Sequence, residues 1–429
     1  MMAPLATPSI VLAFMWAGCG FQVELGLDDG SLVPDAGPCV AASVSCASPD
    51  VLRTCSGEDA IAVDTACPWG CVSSGTARCG VLQPSGGVIA SQDLGTVGLA
   101  DLEIARDTTL DANTGEIKGI RASGIGVEDG VAFEMRTSGS VFRMASLRVS
   151  KLMKLSGDHA VVFIADGPIT IDAVIDGRGD PLCEMMGRVA GPGGLDGGEK
   201  ESTAIGPGGG GGTMLDDHGG GGGGGGAVGG NGGLNTPGGA PFDAVDAEKL
   251  VGGGGGGGGG GNANAGTGGG GGAAIQFVSN TSITIGSSGG INAGGCGGDE
   301  GGGGSDGGGG GGAGGMIVLE APVVTIAGRL AVNGGGGGTH GAIGSPATLD
   351  RIAAPGGSSV DGIGGAGGTG AALSGVAAAS GTYGGGGGSV GRIRIKTRSG
   401  TTTITSTSLM SPALDDSPTT ATASQADID

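Results

Sequence analysis

The chain has 429 residues, of which 109 are glycine and 2% are aromatic, and its formal net charge is −21. This composition excludes an ordinary core of large side chains, so burial must come from Val, Ile, Leu and Ala, or from the close backbone approach that glycine permits. Apolar residues at 38% exclude simple disorder. The acidic balance argues against nucleic acid as a partner.

Residues 1–18 read as an export signal. Ile10 to Ala17 is an apolar run too short to span a bilayer as a helix. It ends in Trp16-Ala17-Gly18-Cys19. Small residues before a cysteine resemble the lipobox of bacterial lipoproteins, in which the cysteine becomes the acylated first residue. Cys19 is therefore the expected lipidation site. The position three before it is Trp rather than Leu, and the first basic residue is Arg53. An ordinary cleaved signal with an incidental Cys19 is the competing reading. Residues 19–38 read as a flexible tether, so any membrane link is expected through a lipid anchor alone.

Six of the nine cysteines fall within residues 39–80: Cys39, Cys46, Cys55, Cys67, Cys71 and Cys79. An even, dense cluster in an exported segment reads as a disulfide module, with the pairing left open among 15 connectivities. Zinc is the competing reading. The Cys67–Cys71 spacing and the lack of histidine in the module argue against it, so no metal is expected.

Residues 86–158 read as short alternating strands. Thr109-Leu110-Asp111-Ala112-Asn113-Thr114-Gly115-Glu116-Ile117 is a hairpin signal, with turn-tolerant residues between apolar ones. Asp111, Asn113 and Glu116 also offer oxygen to a calcium ion. However, the glycine stands at the fifth position and no glutamate closes the loop, which favours a plain turn.

From 159 to 412 an internal repeat emerges among the glycines. Val161-Val162-Phe163 precedes Ile169-Thr170-Ile171, and Ile275-Gln276-Phe277 precedes Ile283-Thr284-Ile285. Met316-Ile317-Val318 precedes Val324-Thr325-Ile326, and Ile393-Arg394-Ile395 precedes Thr402-Thr403-Ile404. Alternating apolar positions place one face inward, and stacking unit on unit would bury it. The expected fold is all-β: a parallel β-helix-like solenoid with long glycine-rich insertions, preceded by the disulfide module. An antiparallel sandwich is the structural alternative. Phe163, Phe277, Val318 and Ile395 are expected to form one ladder, and Ile171, Ile285, Ile326 and Ile404 another. Cys183 and Cys296 follow the first and second units at similar points, so stacking would bring them into a bridge. The glycine tracts between units read either as flexible loops or as extended three-residue-per-turn helices packed side by side. Residues 413–429 read as a polar tail.

The stretch Thr109 to Gly115, Ala145-Ser146-Leu147-Arg148-Val149, the coil His159 to Asp180, Gly315-Met316-Ile317-Val318-Leu319-Glu320-Ala321-Pro322 and Gly391-Arg392-Ile393-Arg394-Ile395 carry a resemblance. Over roughly residues 86–412 the chain resembles the uncharacterised glycine-rich secreted proteins and lipoproteins of myxobacteria and related δ-proteobacteria. The resemblance implies a location at the outer membrane, the cell surface or outside the cell. It brings no catalytic or binding residues.

Catalytic signals are sparse. The three histidines, His159, His218 and His340, form no metal-binding pair, and no nucleophile elbow or phosphate loop is present. Asp172 and Asp176 could mimic a carboxylate pair, although acidic turn residues are common on stacked β-structures. The chain is thus expected to be a non-catalytic structural or adhesive protein without cofactors, meeting polysaccharide or protein at the cell surface. A carbohydrate-active β-helix enzyme is the alternative. A cation- or ice-binding surface protein is the third reading.

Overall fold

The computed structural model describes residues 39–57, 61–95, 98–179, 183, 187–242, 249–261, 264–303, 305–379, 383–417 and 419–429. Cys19, the export signal and the tether lie outside them. The regular structure of the described chain is almost all strand, with almost no helix, and none of its helices is long and apolar enough to cross a membrane.

Three sheets enclose the main core. Two are six-stranded and parallel throughout. The first runs Leu102–Ile104, Leu147–Val149, Ile169–Ile171, Ser282–Ile285, Val323–Ile326, Thr403–Ile404. The second runs Thr108–Asp111, Met153–Ser156, Val174–Asp176, Gly290–Asn292, Arg329–Ala331, Leu409–Ser411. The third sheet has eight strands. Its parallel part passes from Gly139–Met144 through Val161–Ala165, Ala274–Ser279, Met316–Ala321 and Arg392–Thr397 to Ala421–Gln425. Gly126–Glu128 and Val131–Arg136 extend its other end in antiparallel pairing.

This arrangement corrects the expected β-helix-like solenoid with glycine-rich insertions. The largest sheet mixes parallel and antiparallel pairs, because two tight turns fold the chain back within it. At one of them Asp129 and Gly130 both take left-handed φ, 49° and 78°, the pair a two-residue hairpin turn requires. The glycine tracts, moreover, are not insertions trailing from the strands; they form a bonded body of their own, described below.

In-register parallel pairing stacks like on like. Ile104, Val149, Ile171, Ile285 and Ile326 form one buried row, ended by the partly exposed Ile404. Phe133, Phe142, Phe163 and Phe277 form a column of rings with successive centroids 4.9, 5.7 and 5.0 Å apart. Leu319 and Ile395 continue that column, not Val318. Val318 pairs with Gln276 and faces the outer side of the sheet, where it belongs to a second buried apolar cluster with Val141, Val162 and Trp69. The reason is the corner at Ala321-Pro322, one residue shorter than those after Val161–Ala165 and Ala274–Ser279, which shifts an alignment counted back from the second strand by one place and so onto the wrong face.

Arg121 closes the N-terminal end of the core. The residue is 1% exposed, and its guanidinium forms no ion pair among the described residues. It donates to the carbonyls of Gly115, Ala122, Gly124, Gly126 and Val131 at 2.7–3.1 Å, with Phe133 beneath it. The loop from Thr114 to Gly126 is thereby wrapped around one side chain. Arg121→Met should leave the buried Gly115 and Val131 carbonyls unmet and cost about 1–3 kcal/mol for each, since an unmet buried polar group forfeits its full desolvation. Urea denaturation would measure it.

Glu320 lies on the outer side of the eight-stranded sheet, fully buried. Ser85 donates to it through its backbone N–H at 3.1 Å and its hydroxyl at 2.5 Å, and Gln276 through Nε2 at 2.7 Å. Burial pushes the carboxyl above its usual range, outweighing these donors. With the folded value raised, the stability Glu320 contributes is present at acid pH and is lost as pH rises through that value. Unfolding of Glu320→Gln followed across pH should lack this loss.

The disulfide module is a three-stranded antiparallel sheet, Val44–Ser48, Val51–Ser56 and Ile61–Ala66, with a short hairpin of Cys71–Val72 and Arg78–Cys79. Cys39 pairs with Cys55, Cys46 with Cys71 and Cys67 with Cys79. The module is docked on the sheets. Trp69 Nε1 donates to Asn280 Oδ1 at 3.1 Å, and Arg398 bonds the Pro49 carbonyl and pairs with Asp50. Val81 and Asp429 exchange backbone hydrogen bonds, so residues 413–429, read as a polar tail, contribute a strand and a seam with the module.

Candidate functional site in the glycine body

Beside the sheets, the glycine tracts run out from strand ends and return to the next strand. Residues 293–299 leave after Gly290–Asn292, and 307–315 lead back into Met316–Ala321. Their backbone bonds follow a rule. Gly307, Gly310 and Ala313 donate to Gly260, Gly257 and Gly254. Gly308, Gly311 and Gly314 donate to Tyr383, Gly386 and Ser389. Gly309, Gly312 and Gly315 donate to Asp299, Cys296 and Ala293, and all nine bonds span 2.7–3.0 Å. Each tract thus addresses three neighbours in rotation, with the three-residue period of a polyproline II helix, whose amides are left for partners outside it.

Glycine is required here for closeness, not for turning. None of the glycines from 252 to 260 or from 307 to 315 has a left-handed φ. A Cβ on Gly256 would lie 2.1 Å from the Gly310 carbonyl oxygen, and one on Gly310 would lie 2.0 Å from that of Gly221. Backbone fills the space that side chains fill elsewhere.

The turns at the outer end carry the polar chemistry. His340 Nδ1 lies 2.9 Å from Asp361 Oδ2, and its ring centroid is 5.5 Å from that of Tyr383, the only tyrosine. A hydrogen bond to Asp217, aided by burial and by the charges of Asp217 and Asp361, pushes the Tyr383 phenol up. His218 is at the same end, its Nδ1 2.7 Å from the Asp216 carbonyl.

The other residues singled out in the sequence are dispersed. His159 lies just ahead of Val161–Ala165. Asp172 pairs with Arg148 at 3.1 Å and the buried Asp176 with Arg178 at 2.7 Å, so each carboxylate has its own arginine. Asp111 accepts a hydrogen bond from the Asn113 amide, and Leu110 pairs with Ile117, which makes that segment a turn closed on itself. Among the described residues no cluster of three or more His, Cys, Asp or Glu could hold a metal.

Cys183 is bonded to Cys296, with Cα atoms 5.2 Å apart and a sequence separation of 113. Cys296 sits inside a glycine tract, so the bridge ties that tract to the segment after Val174–Asp176. Replacing both cysteines by serine should lower stability by up to about 4–5 kcal/mol through the long loop released in the unfolded chain; calorimetry would report the fall. Four disulfides point to an extracellular or secreted protein.

No protein-family model, curated protein or solved structure matches the chain.

Proposed function

We propose that this chain is a non-catalytic structural or adhesive protein of the cell surface or extracellular space. Its glycine body acts as a stiff arm that presents the turns around His340, Asp361 and Tyr383. The observation that carries this reading is the rotation of hydrogen bonds among the tracts, which binds each to three neighbours. Flexible loops would not hold their turns at a fixed place. The sequence resemblance to glycine-rich secreted proteins and lipoproteins agrees with this location, and acylation of Cys19 would hold the chain at the outer membrane.

Three experiments test the reading. Displayed on a non-adherent host, the chain should increase cell–cell or cell–surface attachment, and a His340→Ala, Tyr383→Ala variant should attach less. Release of reducing ends from polysaccharide by the purified chain would identify an enzyme instead. A fatty-acid analogue should label the wild type and leave Cys19→Ser unlabelled; equal labelling would remove the anchor from the account.

A further inference from the structure

A cleft of about 510 Å³ opens where the first glycine segment leaves the sheets, and its lining shares no residue with the cluster of His340, Asp361 and Tyr383. We propose that it binds a short stretch of an uncharged polysaccharide, an assignment that rests on the adhesive reading above. The volume lies in the range of small-ligand sites.

Much of the floor is glycine backbone whose donors are already spent. The amides of Gly194, Gly197 and Gly198 bond the carbonyls of Gly191, Arg188 and Gly256, each at 2.8 Å, and the Ala190 amide bonds Asp196 Oδ1 at 2.9 Å. With the amides of Ala190, Gly194, Gly197 and Gly198 engaged, an extended peptide finds little main-chain pairing along this floor, so recognition falls to side chains. Those available suit vicinal hydroxyls. Asp158 and Glu199 accept, Arg188 donates, and the Thr203 hydroxyl, which accepts from the Gly212 amide at 3.1 Å, retains its proton to donate. Leu195 and the 88%-exposed Ile205 supply apolar surface for the C–H face of a sugar ring.

Charge narrows the class. Asp158, Asp196 and Glu199 face one arginine, Arg188, which Glu199 approaches to 3.6 Å. An anionic polymer would meet an excess of negative charge. A neutral saccharide meets donors and acceptors without that repulsion.

Titration calorimetry and ligand-observed NMR of the full chain would use cello-, malto- and chito-oligosaccharides of four to six units, with oligogalacturonate as the anionic comparison. At least one neutral series should bind. Arg188→Ala, at a half-buried position, and Glu199→Ala, at an exposed one, should each weaken it about tenfold, the effect of losing one charge-assisted hydrogen bond. Glu103→Ala, elsewhere on the surface, should not change it, and unchanged thermal unfolding would show that the cleft variants remain folded. Binding by no neutral series, preference for oligogalacturonate, or affinity unmoved by both cleft substitutions would overturn the assignment. If attachment to cells persisted in that event, the adhesive reading would stand and only the cleft's ligand would fall.

Discussion

Gly310→Ala is expected to destabilise the glycine body far more than its one methyl group suggests. The new Cβ would fall 2.0 Å from the Gly221 carbonyl oxygen, and the Gly310 amide already bonds Gly257 at 2.8 Å. Neither neighbour is the free end of a side chain, so relief requires two backbones to part and hydrogen bonds in the rotation to lengthen. Overpacking of a tight core costs about 1–3 kcal/mol, and the value here should lie at or above the top of that range. Gly95→Ala is the matched control, because its Cβ would meet nothing within 4 Å and its φ is −72°. Thermal unfolding of the two variants should separate them clearly. Equal tolerance would mean that the tracts are not held at these distances.

Ile285→Asp is expected to unfold the three-sheet body. Ile285 is fully buried between Ile171 and Ile326 in the first six-stranded sheet. An aspartate there has no charge partner in the row and must be desolvated or protonated, at a cost of several kcal/mol in either case. Ser288→Asp, three residues later in an exposed turn, should leave unfolding nearly unchanged. Circular dichroism during denaturation would compare them.

These two sites mark what could be read from the sequence and what could not. The row containing Ile285 is visible as alternating apolar residues that recur at matched spacing, because a strand in a half-buried sheet writes its face into the chain with period two. The equivalent row in the eight-stranded sheet misleads at Val318, since periodicity fixes the face only when the corner length is known. The Asp129-Gly130 hairpin turn was legible in principle as an Asp-Gly pair between apolar runs, yet it lay outside the repeat that drew attention to the fold. The rotation at Gly310 could not be read at all. In a run of identical residues a three-residue period leaves no pattern, and the partners lie on tracts far away in sequence. Arg121 likewise carries no signal, because its partners are carbonyls rather than an acidic side chain. The meeting of His340, Asp361 and Tyr383 depends on that same hidden packing.

A stiff arm requires that the glycine tracts be bonded backbone. Amide hydrogen exchange followed by mass spectrometry addresses this directly, with peptides covering residues 252–260 and 307–315 compared with the strand Ala274–Ser279. Protection in the tracts approaching that of the strand is the predicted result. Exchange of the tract amides at the rate of an unstructured chain, with the strand still protected, would contradict it.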